Sequence, residues 1–315
     1  MPHLLYLGPP DTTEFVQQRL GSDWKVTHAT TEPAADAAIA DADAVLDAYM
    51  VVPFPQERLS RAKQLRLFTT ATTGFSHIDH KFLESRSVPL LTLRGERELL
   101  KNVTPAAELS WLLLMACARG FRAAIDDVQA GVWDRNKHPG MMLRGRQLGL
   151  IGCGRIGQWM SRYATAFGMS VAGYDPVLSP WPDLIDKSEL IPLLESSDFV
   201  SIHVNLTDET KGFIGASQIN RMKKGAVLIN TSRGEIIDEA ALLNALKEGR
   251  LSGAGLDVLT REPKIHGDPL YEFSRQFPNL HITPHIGGFS PDALRYVLDF
   301  CCRRLNSHFG THLND

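Results

Sequence analysis

One ten-residue stretch, Leu148–Gly157, constrains the fold of this chain more than any other. It consists of an apolar run followed by three glycines in the spacing Gly-x-Gly-x-x-Gly. Apolar residues at every third and fourth position then predict a helix, and a second apolar stretch closes on Asp175. Strand, glycine turn, helix, strand and acid follow one another in this order in a dinucleotide-binding unit. The stretch therefore predicts a Rossmann-type, doubly wound parallel sheet.

Each glycine has its own physical reason. Gly152 allows a tight turn, Gly154 lets the backbone approach a pyrophosphate, and Gly157 lets the helix pack close to its strand. The helix N-terminus offers N–H groups and a positive dipole end to phosphates. Asp175 can accept both ribose hydroxyls but repels a 2′-phosphate, and no Lys or Arg occurs between 176 and 183. NAD is therefore favoured over NADP.

Composition limits the class of protein and its partners. With 315 residues the chain is long enough for two domains. A formal net charge of −3 gives no reason to expect a nucleic acid or an anionic membrane as partner. No apolar run approaches the ~20 residues that span a bilayer, and no signal peptide is evident. The four cysteines lack metal-binding spacing, so we expect free thiols, no metal and a cytoplasmic location.

Short strands alternate with helical segments on both sides of the glycine motif. Five apolar runs in the first hundred residues predict a smaller, flavodoxin-like α/β domain without a glycine motif of its own. Four further runs after Asp175 bring the strands of the dinucleotide domain to about six. The helical stretch from about residue 288 comes too late to join that sheet. We expect a discontinuous substrate domain over 1–100 and 288–315, and an NAD-binding domain over 101–287.

A long apolar helix is predicted between these regions. Thr104 is a good N-cap, and Pro105 is tolerated at the first helical position. The segment Ala106–Ala118 is apolar on nearly every face, so we expect it to be buried on all sides. Such a helix could lie between domains or against a second subunit.

Ligands bind at the carboxyl ends of the strands in a doubly wound sheet. The polar residues expected there are Asp175, His203, Thr231, Ser232, Arg233, Asp257 and His285. Arg233 could grip a substrate carboxylate through a fork of hydrogen bonds, or it could be a surface residue in a turn. His285 could exchange the proton that accompanies hydride transfer, or it could be a structural histidine. A carboxylate such as Glu262 beside it would raise the imidazole pKa.

Several sequence segments resemble the D-isomer-specific 2-hydroxyacid dehydrogenases and occur in the order that this family has. The resemblance covers nearly the whole chain. The segments are Leu143–Gly157, Val200–His203, Asn230–Gly234, Gly255–Val258, Glu262–Pro263 and Thr283–Gly288. The resemblance implies an NAD-dependent oxidoreductase that interconverts a D-2-hydroxyacid and its 2-oxoacid. It implies that Arg233 binds and orients the substrate, that Glu262 supports the histidine, and that His285 is the acid and base.

The resemblance also implies a set of binding residues. Together with the glycine motif, the expected cofactor contacts are Gly152, Gly154, Arg155, Ile156, Gly157, Asp175, His203, Thr231 and Asp257. Among them, Asp257 would contact the nicotinamide carboxamide. The expected substrate contacts are Arg233 and the turn at Thr73, Gly74 and Phe75, whose N–H groups would bind the substrate carboxylate.

The subgroup and the substrate are less constrained. The charged connection Arg94–Lys101 resembles a phosphoglycerate-dehydrogenase-like subgroup, here expected in a short form without a regulatory domain. The helix from Thr104 would lie at a homodimer interface. Glyoxylate, hydroxypyruvate, phosphohydroxypyruvate and bulkier 2-oxoacids remain open as substrates. A non-catalytic, NAD-sensing regulator on the same fold is the alternative.

Overall fold

A computed structural model describes residues 1–311, so the last four residues of the predicted 288–315 segment lie outside the described chain. The chain divides into two compact units, each with its own core. The first unit combines Met1–Val103 with the segment that begins at Ser290, and the second unit is Thr104–Phe289. The roles predicted for the two domains, substrate binding and NAD binding, stay predictions at this point.

The secondary structure alternates between strands and helices throughout. The strands are β1 (His3–Leu7), β2 (Lys25–His28), β3 (Ala44–Asp47), β4 (Leu67–Thr70), β5 (Leu90–Leu91), β6 (Gln147–Ile151), β7 (Ser170–Tyr174), β8 (Asp186–Lys187), β9 (Phe199–Ile202), β10 (Ala226–Asn230), β11 (Leu251–Leu256) and β12 (Leu280–Ile282). The α-helices are α1 (Thr13–Leu20), α2 (Glu32–Ala38), α3 (Gln56–Arg61), α4 (His80–Ser85), α5 (Arg97–Leu100), α6 (Pro105–Arg119), α7 (Phe121–Gln129), α8 (Arg155–Ala166), α9 (Leu190–Ser196), α10 (Ala216–Arg221), α11 (Glu239–Lys247), α12 (Pro269–Gln276) and α13 (Pro291–Phe309).

The first unit is built on a five-stranded parallel sheet in the order β2-β1-β3-β4-β5, which is the flavodoxin-like order that was expected. Strand β1 is buried along its whole length. Leu4 and Tyr6 face one apolar cluster, and Leu5 and Leu7 face another on the opposite side of the sheet. Both faces are thus covered, which explains why the strand is a continuous apolar run rather than an alternating one.

The C-terminal helix α13 covers one face of this sheet. Its buried residues pack in the same cluster as Leu4 and Tyr6, together with helix α1. Trp24 fixes the end of the helix, because its Nε1 donates to Oδ1 of the buried Asn306 at 2.7 Å. A helix that follows the whole second unit in sequence therefore completes the core of the first unit.

The second unit has a seven-stranded parallel sheet in the order β12-β11-β10-β9-β6-β7-β8. This order runs outward in both directions from β6, as in a Rossmann-type doubly wound sheet, and confirms the predicted fold class. The prediction of about six strands missed β8. Asp186 and Lys187 form that edge strand, and both are exposed, so they carry no apolar signal.

Two helices of the second unit differ from expectation. The single chain does not bury α6 on all sides, because Leu112 on this helix is 57% exposed. Its predicted burial against a second subunit stays a prediction. Its other face, which includes the buried Trp111, Leu113 and Leu114, packs onto strands β10 and β11 and against helix α8. The next helix, α7, has no buried residue, and its apolar side chains Phe121, Ile125 and Val128 are exposed. Their spacing of four and three residues places them on one face of α7.

Candidate active site

The glycine turn between β6 and α8 leaves no room for side chains at two positions. Gly152 has a φ of +91°, and a Cβ there would lie 2.4 Å from the carbonyl oxygen of His203. A Cβ on Gly157 would lie 2.4 Å from the carbonyl oxygen of Gly152. Both close approaches bring α8 against the turn, so that its N-terminus, opened by Arg155 and Ile156, lies at the carboxyl end of β6.

Gly154 differs from these two glycines. Its φ is −69°, which any residue can adopt, and a Cβ would meet no atom within 4 Å. Neither backbone conformation nor packing within the second unit therefore requires a glycine here. The missing side chain leaves open space directly before the positive end of the α8 dipole, which is where an anion is stabilised.

Asp175 and His203 flank this turn. One oxygen of Asp175 accepts a hydrogen bond from the N–H of Cys153 at 3.0 Å, which draws the carboxylate against the turn. The other accepts from the N–H groups of Val177 and Leu178. His203 bonds Ser201 through Nε2 at 2.8 Å, while its Nδ1 is buried and has no partner among the described residues. Burial lowers the pKa of His203 to about 3, so the ring is neutral.

The second unit brings His285 and Glu262 together. His285 Nδ1 lies 2.6 Å from Oε1 of Glu262, and Oε2 of Glu262 accepts from the N–H of Leu259 at 3.1 Å. The hydrogen bond to Glu262 is the main cause that raises the pKa of His285. Burial raises the pKa of Glu262, but the hydrogen bond and charge of His285 outweigh it and lower that pKa overall. The pair therefore favours a carboxylate beside an imidazolium.

Arg233 lies in the same cluster. Its positive charge acts on both His285 and Glu262 and lowers the pKa of each. The turn that carries it is shaped by the buried Asn230, whose amide donates to the Arg233 carbonyl at 2.8 Å and accepts from the Ser232 N–H at 3.0 Å. The arginine itself donates from Nη1 to the Ser232 carbonyl. An arginine carries five N–H donors, so most of its fork stays available to a ligand.

The loop that carries His285 is anchored by Asp257, which is only 1% exposed at the end of β11. Its carboxylate accepts hydrogen bonds from the Thr283 hydroxyl at 2.6 Å, from the Ile286 N–H at 2.9 Å and from the Gly287 N–H at 2.7 Å. Its carbonyl accepts the N–H of His285, which has a left-handed φ of +55°. The nicotinamide contact expected of Asp257 stays a prediction.

Sequence reasoning missed several of these supports. Besides Asn230, Thr283 and Ser201, it missed Glu239, whose Oε1 accepts the N–H of Thr260 at 2.7 Å and so ties α11 to the loop that precedes Glu262. Thr231, predicted at the cofactor, bonds the Ser110 hydroxyl of α6 at 2.7 Å. The contacts of Thr283, Glu239 and Thr231 join segments far apart in sequence, whereas those of Asn230 and Ser201 are local. Only the strand-terminal position of Asn230 gave any signal for these supports.

The turn predicted to bind the substrate carboxylate lies in the first unit, after β4. Its carbonyl groups are used internally, since Thr72, Gly74 and Phe75 each accept a hydrogen bond from the protein. Within residues 1–311, the N–H groups of Thr73, Gly74, Phe75 and Ser76 have no acceptor. Consecutive unpaired N–H groups at a partly exposed turn form a favourable environment for an anion.

The second unit combines a doubly wound sheet and a glycine turn with an imidazole that is paired with a carboxylate beside an arginine. Together these features are typical of the class of dinucleotide-dependent oxidoreductases. Residues 111–287 match the family described as "D-isomer specific 2-hydroxyacid dehydrogenase, NAD binding domain". The chain is 37% identical over 274 residues to a glyoxylate reductase of Korarchaeum cryptofilum, covering 85% of this chain and 80% of that protein. It therefore belongs to the D-isomer-specific 2-hydroxyacid dehydrogenase family.

Other similarities agree with this assignment. A hydroxypyruvate reductase of Thermotoga maritima is 36% identical, with 76% of each chain covered. A D-3-phosphoglycerate dehydrogenase of Methanocaldococcus jannaschii is 35% identical, covering 75% of this chain but 44% of its own length. The structure of a D-lactate dehydrogenase from Aquifex aeolicus, complexed with NAD and lactic acid, superposes with a TM-score of 0.84 at 26% identity, covering 98% of this chain and 95% of that one.

These similarities confirm the predicted family and the prediction of NAD as the cofactor. The chain is an NAD-dependent dehydrogenase that acts on the CH–OH group of small hydroxyacids, and the regulator alternative is not favoured. None of the helices in the described part of the chain could cross a membrane.

The residues of the second unit fit NAD. Gly154 leaves room before the α8 N-terminus for phosphates, and Asp175 presents a carboxylate at the same turn with no Lys or Arg among the following residues 176–183. The buried, unpartnered Nδ1 of the neutral His203 ring is a polar atom that a ligand would satisfy.

The two glycines are expected to respond differently to alanine. Gly154→Ala should weaken NADH binding at least about 10-fold without lowering the melting temperature, because its Cβ meets only the open space before the helix. Gly157→Ala should weaken binding and also destabilise the fold, because its Cβ meets the Gly152 carbonyl. Fluorescence titration with NADH and thermal unfolding measure the two effects. Unchanged NADH affinity in Gly154→Ala would contradict the assignment of this space to the cofactor.

Proposed function

We propose that this chain reduces glyoxylate and hydroxypyruvate with NADH to the corresponding 2-hydroxyacids, with His285 as the proton donor. The observation that carries the proposal is the 2.6 Å hydrogen bond between His285 Nδ1 and Glu262 Oε1, beside Arg233. In this proposal the second unit binds NAD and the first unit supplies the substrate contacts Thr73, Gly74 and Phe75. The proposed cofactor contacts are Gly152, Gly154, Arg155, Ile156, Gly157, Asp175, His203, Thr231 and Asp257.

The substrate class rests on the relatives that this chain matches over most of their length. Relatives named glyoxylate reductase and hydroxypyruvate reductase are covered over 80% and 76% of their own chains. The D-3-phosphoglycerate dehydrogenase relative is covered over only 44% of its length. The names of the two relatives matched over most of their length favour a small, unphosphorylated 2-oxoacid.

The hydrogen bond to Glu262 determines which nitrogen of His285 can donate a proton to the substrate. Because Nδ1–H donates to the carboxylate, Nε2–H is the proton that the imidazolium can give to the carbonyl oxygen of the substrate. After transfer the ring is neutral, and the Nδ1–H bond still holds its orientation. The histidine side chain is 44% exposed, so its Nε2 edge is accessible to a substrate.

The remaining residues bind and polarise the substrate. The guanidinium of Arg233 can hold the carboxylate and draw electron density toward the carbonyl oxygen, so that charge developing there is stabilised. The unpaired N–H groups of the Thr73–Phe75 turn can donate hydrogen bonds to a substrate carboxylate. Bound NADH supplies the hydride that C2 of the oxoacid receives. Holding the reactants in this order converts an encounter into an intramolecular step.

Replacing His285 by Asn tests the proton donor. Asparagine tolerates the left-handed φ of +55° but cannot act as an acid at neutral pH. The turnover of glyoxylate should fall by roughly 10²–10⁴-fold, while NADH affinity stays unchanged. The measurement is the loss of NADH absorbance at saturating substrate.

The substrate proposal is tested on the wild-type chain with the same absorbance measurement. Glyoxylate, hydroxypyruvate, phosphohydroxypyruvate and pyruvate are compared with NADH and with NADPH. Glyoxylate and hydroxypyruvate should give the highest kcat/KM. A preference for the phosphorylated oxoacid would contradict the substrate class, and turnover of His285→Asn close to that of the wild type would remove the histidine from the mechanism.

The pH dependence of reduction follows from the raised pKa of His285. The protonated ring is the reactive form, so the rate should fall as pH rises through that raised value. Glu262→Gln removes the charge that sustains the shift, so the descending limb should move to lower pH. Profiles of kcat/KM against pH for wild type and Glu262→Gln show the shift. Glu239→Gln serves as a control, since its amide oxygen can still accept the Thr260 N–H.

We further propose a cytoplasmic homodimer. The support for the dimer is the apolar face of α7, formed by Phe121, Ile125 and Val128, to which the exposed Leu112 of α6 adds. Exposed apolar patches of this kind mark interaction surfaces. The support for a reducing compartment is that all four cysteines are free thiols.

A charge on the α7 face should break the dimer. Ile125→Glu places a carboxylate among exposed apolar side chains and is expected to give a monomer in sedimentation velocity, with the thermal stability of the monomer itself little changed. Asp126→Ala, on a neighbouring and already polar position of α7, is the control and should stay dimeric. A wild-type chain that sediments as a monomer would refute the proposal.

A further inference from the structure

A second histidine–carboxylate pair lies in the first unit, away from the residues assigned to proton transfer. Asp47 is the last residue of β3, and its side chain is completely buried. His77 lies in the loop after β4, and its Nε2 is 2.5 Å from Oδ2 of Asp47. The His77 side chain is 11% exposed. Two titratable groups are thus buried together without a role in the chemistry described so far.

The pair joins two loops at the carboxyl edge of the first sheet. The other oxygen of Asp47 accepts the N–H groups of Tyr49 and Met50 at 3.0 and 3.1 Å, and Met50 has a left-handed φ of +55°. Asp47 therefore determines the path of the loop after β3, and through His77 it also holds the loop after β4. The Nδ1 atom of His77 is buried and has no partner among the described residues, so Asp47 is the polar contact of this ring.

His77 holds one end of the turn that has unpaired N–H groups. On the β4 side, the Thr70 hydroxyl donates to the Thr72 carbonyl and the Thr72 hydroxyl donates to the Gly74 carbonyl, each at 2.9 Å. On the other side, the turn continues through Ser76 into His77. The turn belongs to neither a helix nor a strand. Backbone N–H groups of Leu93, Ile78 and Phe54 bond its carbonyls, and the side chains at its two ends add to the bonds that hold its N–H groups in one orientation.

We propose that His77 and Asp47 are positioning residues for substrate binding, which hold the Thr73–Phe75 turn with its N–H groups directed at the substrate carboxylate. The inference rests on the proposed function, in which this turn binds the carboxylate of the oxoacid. Breaking the pair leaves the buried Asp47 carboxylate with its backbone partners alone and removes the side-chain anchor of the His77 end of the turn, which then keeps only its backbone bonds, such as that from the Phe54 N–H to the His77 carbonyl. The N–H groups then lose their common orientation before the substrate binds, and part of the binding energy is used to order them.

Two amides that differ by one methylene group test the pair. The side-chain nitrogen of glutamine can occupy about the position of His Nε2 and donate to Asp47, whereas the shorter asparagine places its amide near Nδ1 and cannot reach. With glyoxylate as substrate, His77→Asn should raise KM about 10-fold and change kcat less than about 3-fold, because binding rather than chemistry is weakened. The inhibition constant of oxalate, a carboxylate that cannot be reduced, should rise with KM. His77→Gln should retain both values.

A buried histidine at the other end of the same sheet provides the matched control. His3, at the amino end of β1, bonds the Thr27 hydroxyl at 2.8 Å and the Asp41 carbonyl at 3.0 Å. His3→Ala should lower the melting temperature without changing the KM for glyoxylate or the inhibition by oxalate. NADH titration of every variant shows whether the second unit is intact.

The possible outcomes separate this inference from the proposed function. If wild type reduces glyoxylate and loses turnover in His285→Asn, but His77→Asn keeps the wild-type KM, the positioning role is wrong and the proposed function stands. An equal rise of KM in folded His77→Gln and His77→Asn would also overturn it, because the bond to Asp47 would then not matter. A wild type that does not reduce 2-oxoacids would refute the proposed function itself. A tenfold rise confined to His77→Asn supports the positioning role.

Discussion

The buried carboxylate of Asp257 is the interaction on which the proposed catalytic geometry depends. It accepts a side-chain hydroxyl and two backbone N–H groups from the loop after β12, and its own carbonyl accepts the N–H of His285. If the loop rotated, the buried carboxylate of Asp257 would lose its hydrogen-bond donors, which is energetically costly. His285 is thereby kept in a left-handed conformation that its backbone would otherwise rarely adopt, and its ring reaches Glu262.

The same device recurs at the ends of other strands. Asn230 at the end of β10 and Asp47 at the end of β3 are buried, and each uses its side-chain oxygen to accept N–H groups of the loop that follows. Short polar side chains at such positions can satisfy backbone donors that leave the sheet. In this protein the carboxyl ends of the strands are therefore shaped by buried Asp and Asn residues. Arg233 and His285, the residues proposed for chemistry, lie in loops that buried Asn and Asp side chains hold in this way.

Charge is used differently at the proposed proton-transfer pair and at the glycine turn. Glu262 raises the pKa of His285 and Arg233 opposes this, so the imidazolium is favoured more than in a free histidine while the opposing charge limits the shift. His203, by contrast, is neutral because burial lowers its pKa to about 3. A neutral ring can offer either a donor or an acceptor to a bound ligand, and it adds no charge beside phosphates.

Local patterns in the sequence predict the two α/β sheets, the glycine turn and the strand-terminal positions of Asp175, Arg233, Asp257 and His285. They do so because burial of parallel strands produces apolar runs, and because only glycine fits the contacts at Gly152 and Gly157. Where the pattern is weak, prediction fails. The two exposed residues of β8 carry no apolar signal, and the apolar composition of α6 did not reveal that Leu112 is exposed.

By itself, then, the sequence determined the fold class, the candidate residues at the carboxyl ends of the strands and the kind of chemistry that these residues could perform. Only the tertiary structure decided which other polar groups meet, as in the bonds of Thr260 to Glu239 and His77 to Asp47. The physical reason is one of range. Periodicity and turn geometry act between neighbours in the chain, whereas a hydrogen bond between two loops depends on how the sheet places residues that lie about 20 to 30 positions apart.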